Sequence, residues 1–351
     1  MDKTLQVGLT AFGMSGIVFH APLIHAHPHF HLHSVLERNS KKSRDKYPDV
    51  KVVNNFGSLI NDPELDVIVV NTPQHLHFNM CTAALEAGKH VVVEKPFTVT
   101  SNEAGELIKV GKKANKILTV FQNRRWDGDF LTVQKVVKSE LLGKLVDFEG
   151  HYNRFRNYIQ DDTWKEEIVP GGGLLYNLGS HLIDQALHLF GFPKSVLADI
   201  RIQRPGGKID DNFELILDYG ALKVTLKSGY LVREQGPRFI LHGTQGSFIK
   251  YGIDPQEEDL KAGFYPTGPD WGREDRELWG KINTEFKDMH LEGLIETEPG
   301  SYMDFYNNVY EAIQQKKDLL VKPEEAMYGI QIIEAAIESN KQKKQVQLNF
   351  N

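Results

Sequence analysis

The chain has a single cysteine, Cys81, in 351 residues. One thiol excludes an internal disulfide and fits a reducing compartment. Positive charge is not in excess: 41 Lys and Arg stand against 47 Asp and Glu, a formal net charge of -6. That balance argues against a general nucleic-acid binder, and basic runs are short, such as Lys341 to Lys344. No apolar run is long enough to span a membrane. Met1-Asp2-Lys3 leads straight into an apparent strand, Leu5 to Leu9, leaving no room for a signal peptide. The expectation is a cytoplasmic protein.

What is present is the composition of a globular chain, 40% hydrophobic and 25% charged, with the length of about two domains. Strand and helix patterns alternate through the first third, which implies a parallel sheet with crossover helices. Leu5 to Leu9 is followed by Ala11-Phe12-Gly13-Met14-Ser15-Gly16, a dinucleotide fingerprint with Ala11 in place of its first glycine. Gly13 would let the backbone approach a pyrophosphate, Gly16 would let helix pack on strand, and the helix N-terminus offers N–H groups to phosphate. The next strand, Leu32 to Leu36, ends in Glu37-Arg38-Asn39, about twenty residues past the glycines. An acid there holds the ribose hydroxyls of NAD, whereas an arginine meets the extra phosphate of NADP. Both are present, with Lys41 and Lys42 beyond, so the choice stays open.

His25, His27, His29, His31 and His33 alternate between these elements. Alternation suggests a metal, but Pro28 interrupts the run and no carboxylate or cysteine joins it. A solvated helix-to-strand loop is expected, and no metal site. Asp66 to Asn71 is another buried strand; Thr72-Pro73 breaks it, and His75 and His77 open a helix running to about Ala87. Val91 to Val93 is an unbroken β-branched run stopped by Glu94-Lys95-Pro96. Two charges at the carboxyl end of a central parallel strand lie where open α/β sheets bind ligands. The bland alternative is a solvated ion pair. A helix from about Asn102 to Ala114 and a strand from Ile117 to Phe121 complete a nucleotide-binding unit, residues 1–122.

Beyond Asn123 the pattern changes. Leu145 to Tyr152, Ser195 to Gln203, Phe213 to Tyr219, Leu222 to Leu231 and Phe239 to Gly243 read as longer strands with partial alternation and few helices between them. An antiparallel sheet is expected in a second, α+β domain, residues 123–351, with a last helix from about Glu324 to Ser339. Its informative helix, Ser180 to Phe190, is mostly apolar but carries His181, Asp184 and His188 as one polar stripe. Gly171-Gly172-Gly173 and Asn177 precede it. A lone histidine on an apolar helix is ordinarily a satisfied core residue; one paired with an i+3 carboxylate beside a flexible loop suits proton transfer.

The landmarks occur in a set order: the glycine turn, Thr72-Pro73 with His77, Glu94-Lys95-Pro96, Asn123-Arg124-Arg125-Trp126-Asp127, and Gly179-Ser180-His181-Leu182-Ile183-Asp184. In that order they resemble the glucose–fructose oxidoreductase/inositol dehydrogenase (Gfo/Idh/MocA) family over essentially the whole chain. The resemblance implies an α/β fold: an N-terminal Rossmann domain plus a C-terminal α+β domain with an open, mainly antiparallel sheet, assembling as a homodimer or homotetramer. It implies NAD(P)-dependent oxidation of a secondary hydroxyl on a cyclic polyol or sugar, inositol-like, with NADP ahead of NAD, and no nucleic-acid or membrane partner. Lys95 matches the family's active-site lysine and His181 its histidine acid/base. Asn177 stands where inositol dehydrogenases carry an aspartate; a neutral amide cannot stabilise an imidazolium as a carboxylate does. Asp184 could take that part.

Candidate cofactor contacts are Phe12, Gly13, Met14, Ser15, Glu37, Arg38, Asn71, Thr72, Pro73, His77, Glu94, Lys95, Asn123 and Trp164. Trp164 either lids the nicotinamide or anchors its loop. Candidate polyol contacts are Arg125, Tyr152, Arg154, Asn177 and Asp184; for Tyr152 and Arg154 the alternative is an ordinary strand face. Two other functions share the fold: a non-catalytic dinucleotide sensor, and a glycoside hydrolase that transiently reduces bound NAD.

Overall fold

A computed structural model describes residues 3–161 and 163–350, and Trp164 by its backbone alone. Met1 and Asp2, part of the argument against a leader, lie outside the described residues. Among those described, no helix is long and apolar enough to cross a membrane.

The β-branched runs become strands, and three of them, over residues 67–70, 91–93 and 118–120, are buried on both faces. The strands of this sheet are β1 (Leu5–Leu9), β2 (Phe30–Leu36), β3 (Lys51–Val53), β4 (Val67–Val70), β5 (His90–Val93) and β6 (Leu118–Val120). Their order is β3-β2-β1-β4-β5-β6, with every pair parallel. This doubly wound order reverses direction between β1 and β4, which opens a crevice at the strand carboxyl ends. The crossovers are α1 (Ala21–Ala26), α2 (Lys42–Lys46), α3 (Phe56–Ile60), α4 (His77–Glu86) and α5 (Ser101–Ala114). Helix α5 starts at a reciprocal capping box, Thr100 with Glu103, and ends at Asn115 in the left-handed region.

The second sheet has nine strands: β7 (Leu145–His151), β8 (Ser195–Arg201), β9 (Asn212–Asp218), β10 (Lys223–Gly229), β11 (Phe239–Gly243), β12 (Gly246–Lys250), β13 (Gly280–Phe286), β14 (Met289–Ile295) and β15 (Val346–Gln347). The order is β14-β13-β12-β11-β7-β10-β9-β8-β15. Only β7 and β10 pair in parallel, so the sheet is mixed and mainly antiparallel. The β13–β14 hairpin escaped the sequence analysis because Lys287 and Asp288 make its positive-φ turn where Asn-Gly would signal one. The remaining helices are α6 (Gly128–Lys138), α7 (Ser180–Phe190), α8 (Gln256–Ala262), α9 (Met303–Gln314) and α10 (Pro323–Gln342).

The chain forms two compact units, and their division differs from a single break after residue 122. The first comprises Met1–Trp126, Pro255–Gly272 and Ser301–Met327; the second, Asp127–Asp254, Arg273–Gly300 and Tyr328–Asn351. Two late segments therefore belong with the Rossmann sheet. Aromatic burial explains it: Tyr302, Phe305 and Tyr306 pack against Phe19 and Phe121. Gln256 accepts from Trp271 Nε1 and from the Tyr302 backbone, and donates to the Trp126 carbonyl.

Candidate active site

In the first unit the glycine turn is held by Asn71. Its Oδ1 accepts from the Ala11 N–H (2.9 Å) and its Nδ2 donates to the Ala11 carbonyl (2.9 Å). The helical run after the turn spans residues 14–26, with Gly16–His20 π-wound before α1. A Cβ on Gly16 would lie 2.6 Å from the Ala11 carbonyl oxygen, so only glycine allows this packing. A Cβ on Gly13 would meet nothing within 4 Å, leaving room for a phosphate. The cradle fits the pyrophosphate of a dinucleotide.

Glu37, expected at the ribose, has both carboxylate oxygens engaged by its own turn. One carboxylate oxygen accepts from Ser40 Oγ (2.6 Å) and Lys42 N (2.9 Å), the other from Ser43 N (3.0 Å) and Ser43 Oγ (2.5 Å). Burial pushes its carboxyl up, but these four donors outweigh burial and hold it below the usual range. Glu37 thus folds the turn that displays Arg38, Ser40 and Lys41. With Lys51 and Asn54 they line a cavity of about 840 Å³ beside β2 and β3.

At the ends of β4 and β5, His77 is enclosed. Its Nε2 is 2.9 Å from the Thr72 carbonyl, and its Nδ1 is 3.0 Å from that of Pro96 and 3.2 Å from that of Phe97. Burial lowers its pKa against those carbonyls. His77 thereby ties Thr72-Pro73 to the segment after Lys95. Lys95 is half-buried at the carboxyl end of β5, and its backbone N–H donates to Glu94 Oε2 at 3.1 Å. Glu94 Oε1 lies 3.1 Å from His20 Nε2, and His20 Nδ1 lies 2.7 Å from the Tyr306 hydroxyl. The sequence analysis missed both His20 and Tyr306. His20 follows an apolar Ile17-Val18-Phe19 and looks like core, and its partner is 286 positions away.

Residues Asn123–Trp126 form one turn of 3₁₀ helix, all buried. Arg125, expected on the polyol, is instead engaged within this unit: Nη1 donates to the Leu320 carbonyl (2.7 Å) and Nη2 pairs with Glu325 (2.8 Å). Arg124 holds Tyr302 and Glu257.

The histidine run is a helix end followed by a strand, not a loop. His25 is in α1, His27 is buried at its C-cap, and His31 and His33 lie in β2. His33 gathers with Asp62 and Glu64, carboxylates that the sequence analysis did not associate with it. The Lys51 ammonium already neutralises Asp62 at 2.7 Å.

In the second unit, Gly171 and Gly173 take positive φ, 73° and 96°, before the π-wound turn Leu175–Gly179 and α7. Asn177 lies in that turn; His181 and Asp184 follow one helical step apart, 4% and 3% exposed. The Leu175 N–H donates to Asp210 Oδ2 at 2.7 Å. The ring of Tyr152, 2% exposed, is flanked by the guanidinium groups of Arg238 at 4.7 Å and Arg154 at 5.4 Å. Arg238 also donates to the His151 carbonyl and to Gln185 of α7, tying β7 to that helix. The backbone of Trp164 opens a one-turn helix, Trp164–Glu166; its side chain lies outside the described residues.

In the first unit, the glycine turn and the charged pair at the end of a central parallel strand are features of a dinucleotide-binding Rossmann unit. The model for an oxidoreductase family NAD-binding Rossmann fold matches residues 5–122, and that for the family's C-terminal alpha/beta domain matches 134–348. The chain belongs to the Gfo/Idh/MocA family of oxidoreductases. It is 39% identical to scyllo-inositol 2-dehydrogenase (NADP(+)) IolW of Bacillus subtilis, over 98% of this chain and 96% of that one. An oxidoreductase structure from Bacillus cereus superposes with a TM-score of 0.90 at 35% identity, covering 99% of each chain. A structure from Bacteroides fragilis is 46% identical with a TM-score of 0.91, covering 99% of this chain and all of that one.

Proposed function

We propose that the protein is an NADP-preferring dehydrogenase that oxidises a secondary hydroxyl of an inositol-like cyclic polyol in the cytoplasm. The observation that carries this is its near full-length similarity to an NADP-dependent scyllo-inositol dehydrogenase, with Lys95 and His181 both present. Bound NADP supplies the hydride acceptor. His181 takes the hydroxyl proton as general base, and Lys95 donates to the same oxygen, stabilising the charge that develops there. Asn177, Asp184, Tyr152 and Arg154 orient the ring. Glu37 supports the preference for NADP: its oxygens already accept four hydrogen bonds, and the turn it folds presents Arg38 and Lys41 to an anion. Exposed Met289, Leu291 and Leu294 on β14 support assembly into a homo-oligomer through that sheet.

The test is the rate of NAD(P)H formation across inositol isomers and aldoses with each cofactor. Turnover of scyllo-inositol, at least tenfold faster in kcat/KM with NADP than NAD, is expected. Lys95→Ala should lower kcat by about 10²-fold or more while dinucleotide still binds. Full turnover in that variant, or tight NADP binding without turnover of any polyol in the wild type, overturns the reading.

A further inference from the structure

We propose that His20 and Tyr306 are positioning residues of this reaction, holding Glu94 as an oriented carboxylate beside Lys95. The inference rests on the reading of Lys95 as the lysine that meets the reacting oxygen. Glu94 is 9% exposed, so an unassisted carboxylate there is costly. It is held at two points. Oε1 faces the His20 imidazole, and Oε2 receives the backbone N–H of Lys95 itself. Moving this carboxylate therefore moves the backbone from which the Lys95 side chain springs.

The proton arrangement follows from the partners. A carboxylate only accepts, so His20 Nε2 carries the hydrogen that faces Glu94. Burial keeps the Tyr306 hydroxyl protonated, and it donates to the lone pair on Nδ1. Both ring nitrogens are then satisfied. The titratable groups acting on Glu94 are His20, Lys95 and His77, with Tyr306 beyond His20. Burial drives the Glu94 carboxyl up, and the His20 hydrogen bond with the nearby charges brings it below the ordinary value.

Placement gives the triad its use. His20 closes the π-wound stretch Gly16–His20 of the helix that begins at the glycine turn. Such π-turns interrupt helices at functional sites. One hydrogen bond thus joins the helix that receives the dinucleotide phosphates to the strand end that carries Lys95. Tyr306, on α9, comes from a segment that folds back onto the Rossmann unit.

The experiment compares His20→Ala, His20→Gln, His20→Asn and Tyr306→Phe with wild type in kcat, NADPH affinity and thermal unfolding. A glutamine amide reaches the place of Nε2 and can donate to Glu94; an asparagine amide reaches only that of Nδ1. His20→Ala and His20→Asn should lower kcat about tenfold, with NADPH affinity within about threefold. His20→Gln should keep kcat within about threefold of wild type, and Tyr306→Phe should lose about threefold. A kcat unchanged in all four variants, or equal behaviour of the Gln and Asn variants, reduces the triad to packing and overturns the proposal. A readout independent of turnover is the ¹³C carboxyl signal of Glu94 in glutamate-labelled protein, identified by its loss in Glu94→Gln. It should titrate at higher pH in His20→Ala than in wild type or His20→Gln. That shift in a protein that turns over no polyol defeats the assigned reaction and leaves the positioning of Glu94 standing; an unmoved signal overturns the positioning.

Discussion

Asn177 lies in the π-wound turn Leu175–Gly179, four residues before His181, where inositol dehydrogenases of the family carry an aspartate. A neutral amide brings no charge to that place, whereas a carboxylate there would favour an imidazolium. Asn177→Asp should therefore raise the pH at which His181 loses its proton and move the acid limb of kcat/KM upward by about one unit. A superimposable pH–rate profile would mean that Asp184 alone governs the histidine. Glu37 teaches a related lesson at the same scale. An acid at the end of β2 reads as a ribose ligand in sequence, yet its oxygens accept from Ser40, Lys42 and Ser43. Only the identity of its donors tells a scaffold from a ligand.

The helix that carries His181 depends on what precedes it. Gly173 has φ 96°, and a Cβ there would overlap the Asp210 carboxylate that accepts the Leu175 N–H. Gly173→Ala meets both a backbone penalty and a clash, and should destabilise the protein by about 2–4 kcal/mol. The thermal midpoint should drop and kcat should fall with it, because His181 rides on the turn that Asp210 holds. A normal midpoint and kcat would show that the loop relaxes freely. Burial pushes the Asp210 carboxyl up to about 6, against the N–H groups of Leu175, its own residue and Leu174. Its folded pKa lies above its unfolded value of about 3.9, so the stability it contributes is lost as pH rises through about 6.

Across the molecule, three histidines act with the opposite sign. Burial lowers the pKa of His27 and His90 to about 4, and that of His77 also falls. Each binds its proton more readily in the unfolded chain, so stability is full above about pH 6.5 and is lost as pH falls from there toward about 4. Three such groups outweigh Asp210. The unfolding free energy from denaturant titration should be level above about pH 6.5 and fall between there and pH 5, by up to roughly 1.4 kcal/mol per pH unit for each histidine. His90→Asn keeps an acceptor for the Ile117 N–H that His90 Nδ1 now receives at 3.0 Å, and should flatten the slope. A pH-independent midpoint in wild type would contradict this account.

The alternating β-branched runs, the glycine turn and the Glu94-Lys95-Pro96 stop determined the parallel sheet and its ligand edge without any tertiary information, since strand burial and turn chemistry are local properties. The helix Ser180–Phe190 was equally plain, because its apolar spacing is unbroken and Gly191 ends it. Tertiary structure alone decided that residues 255–272 and 301–327 join the Rossmann unit, that Arg125 serves Glu325, and that Tyr306 stands behind His20 and Glu94. Those facts depend on which distant surfaces exclude water together. Hydrophobic burial carries no record of its partner in the sequence, since an apolar face is complementary to many others until the chain closes around one of them.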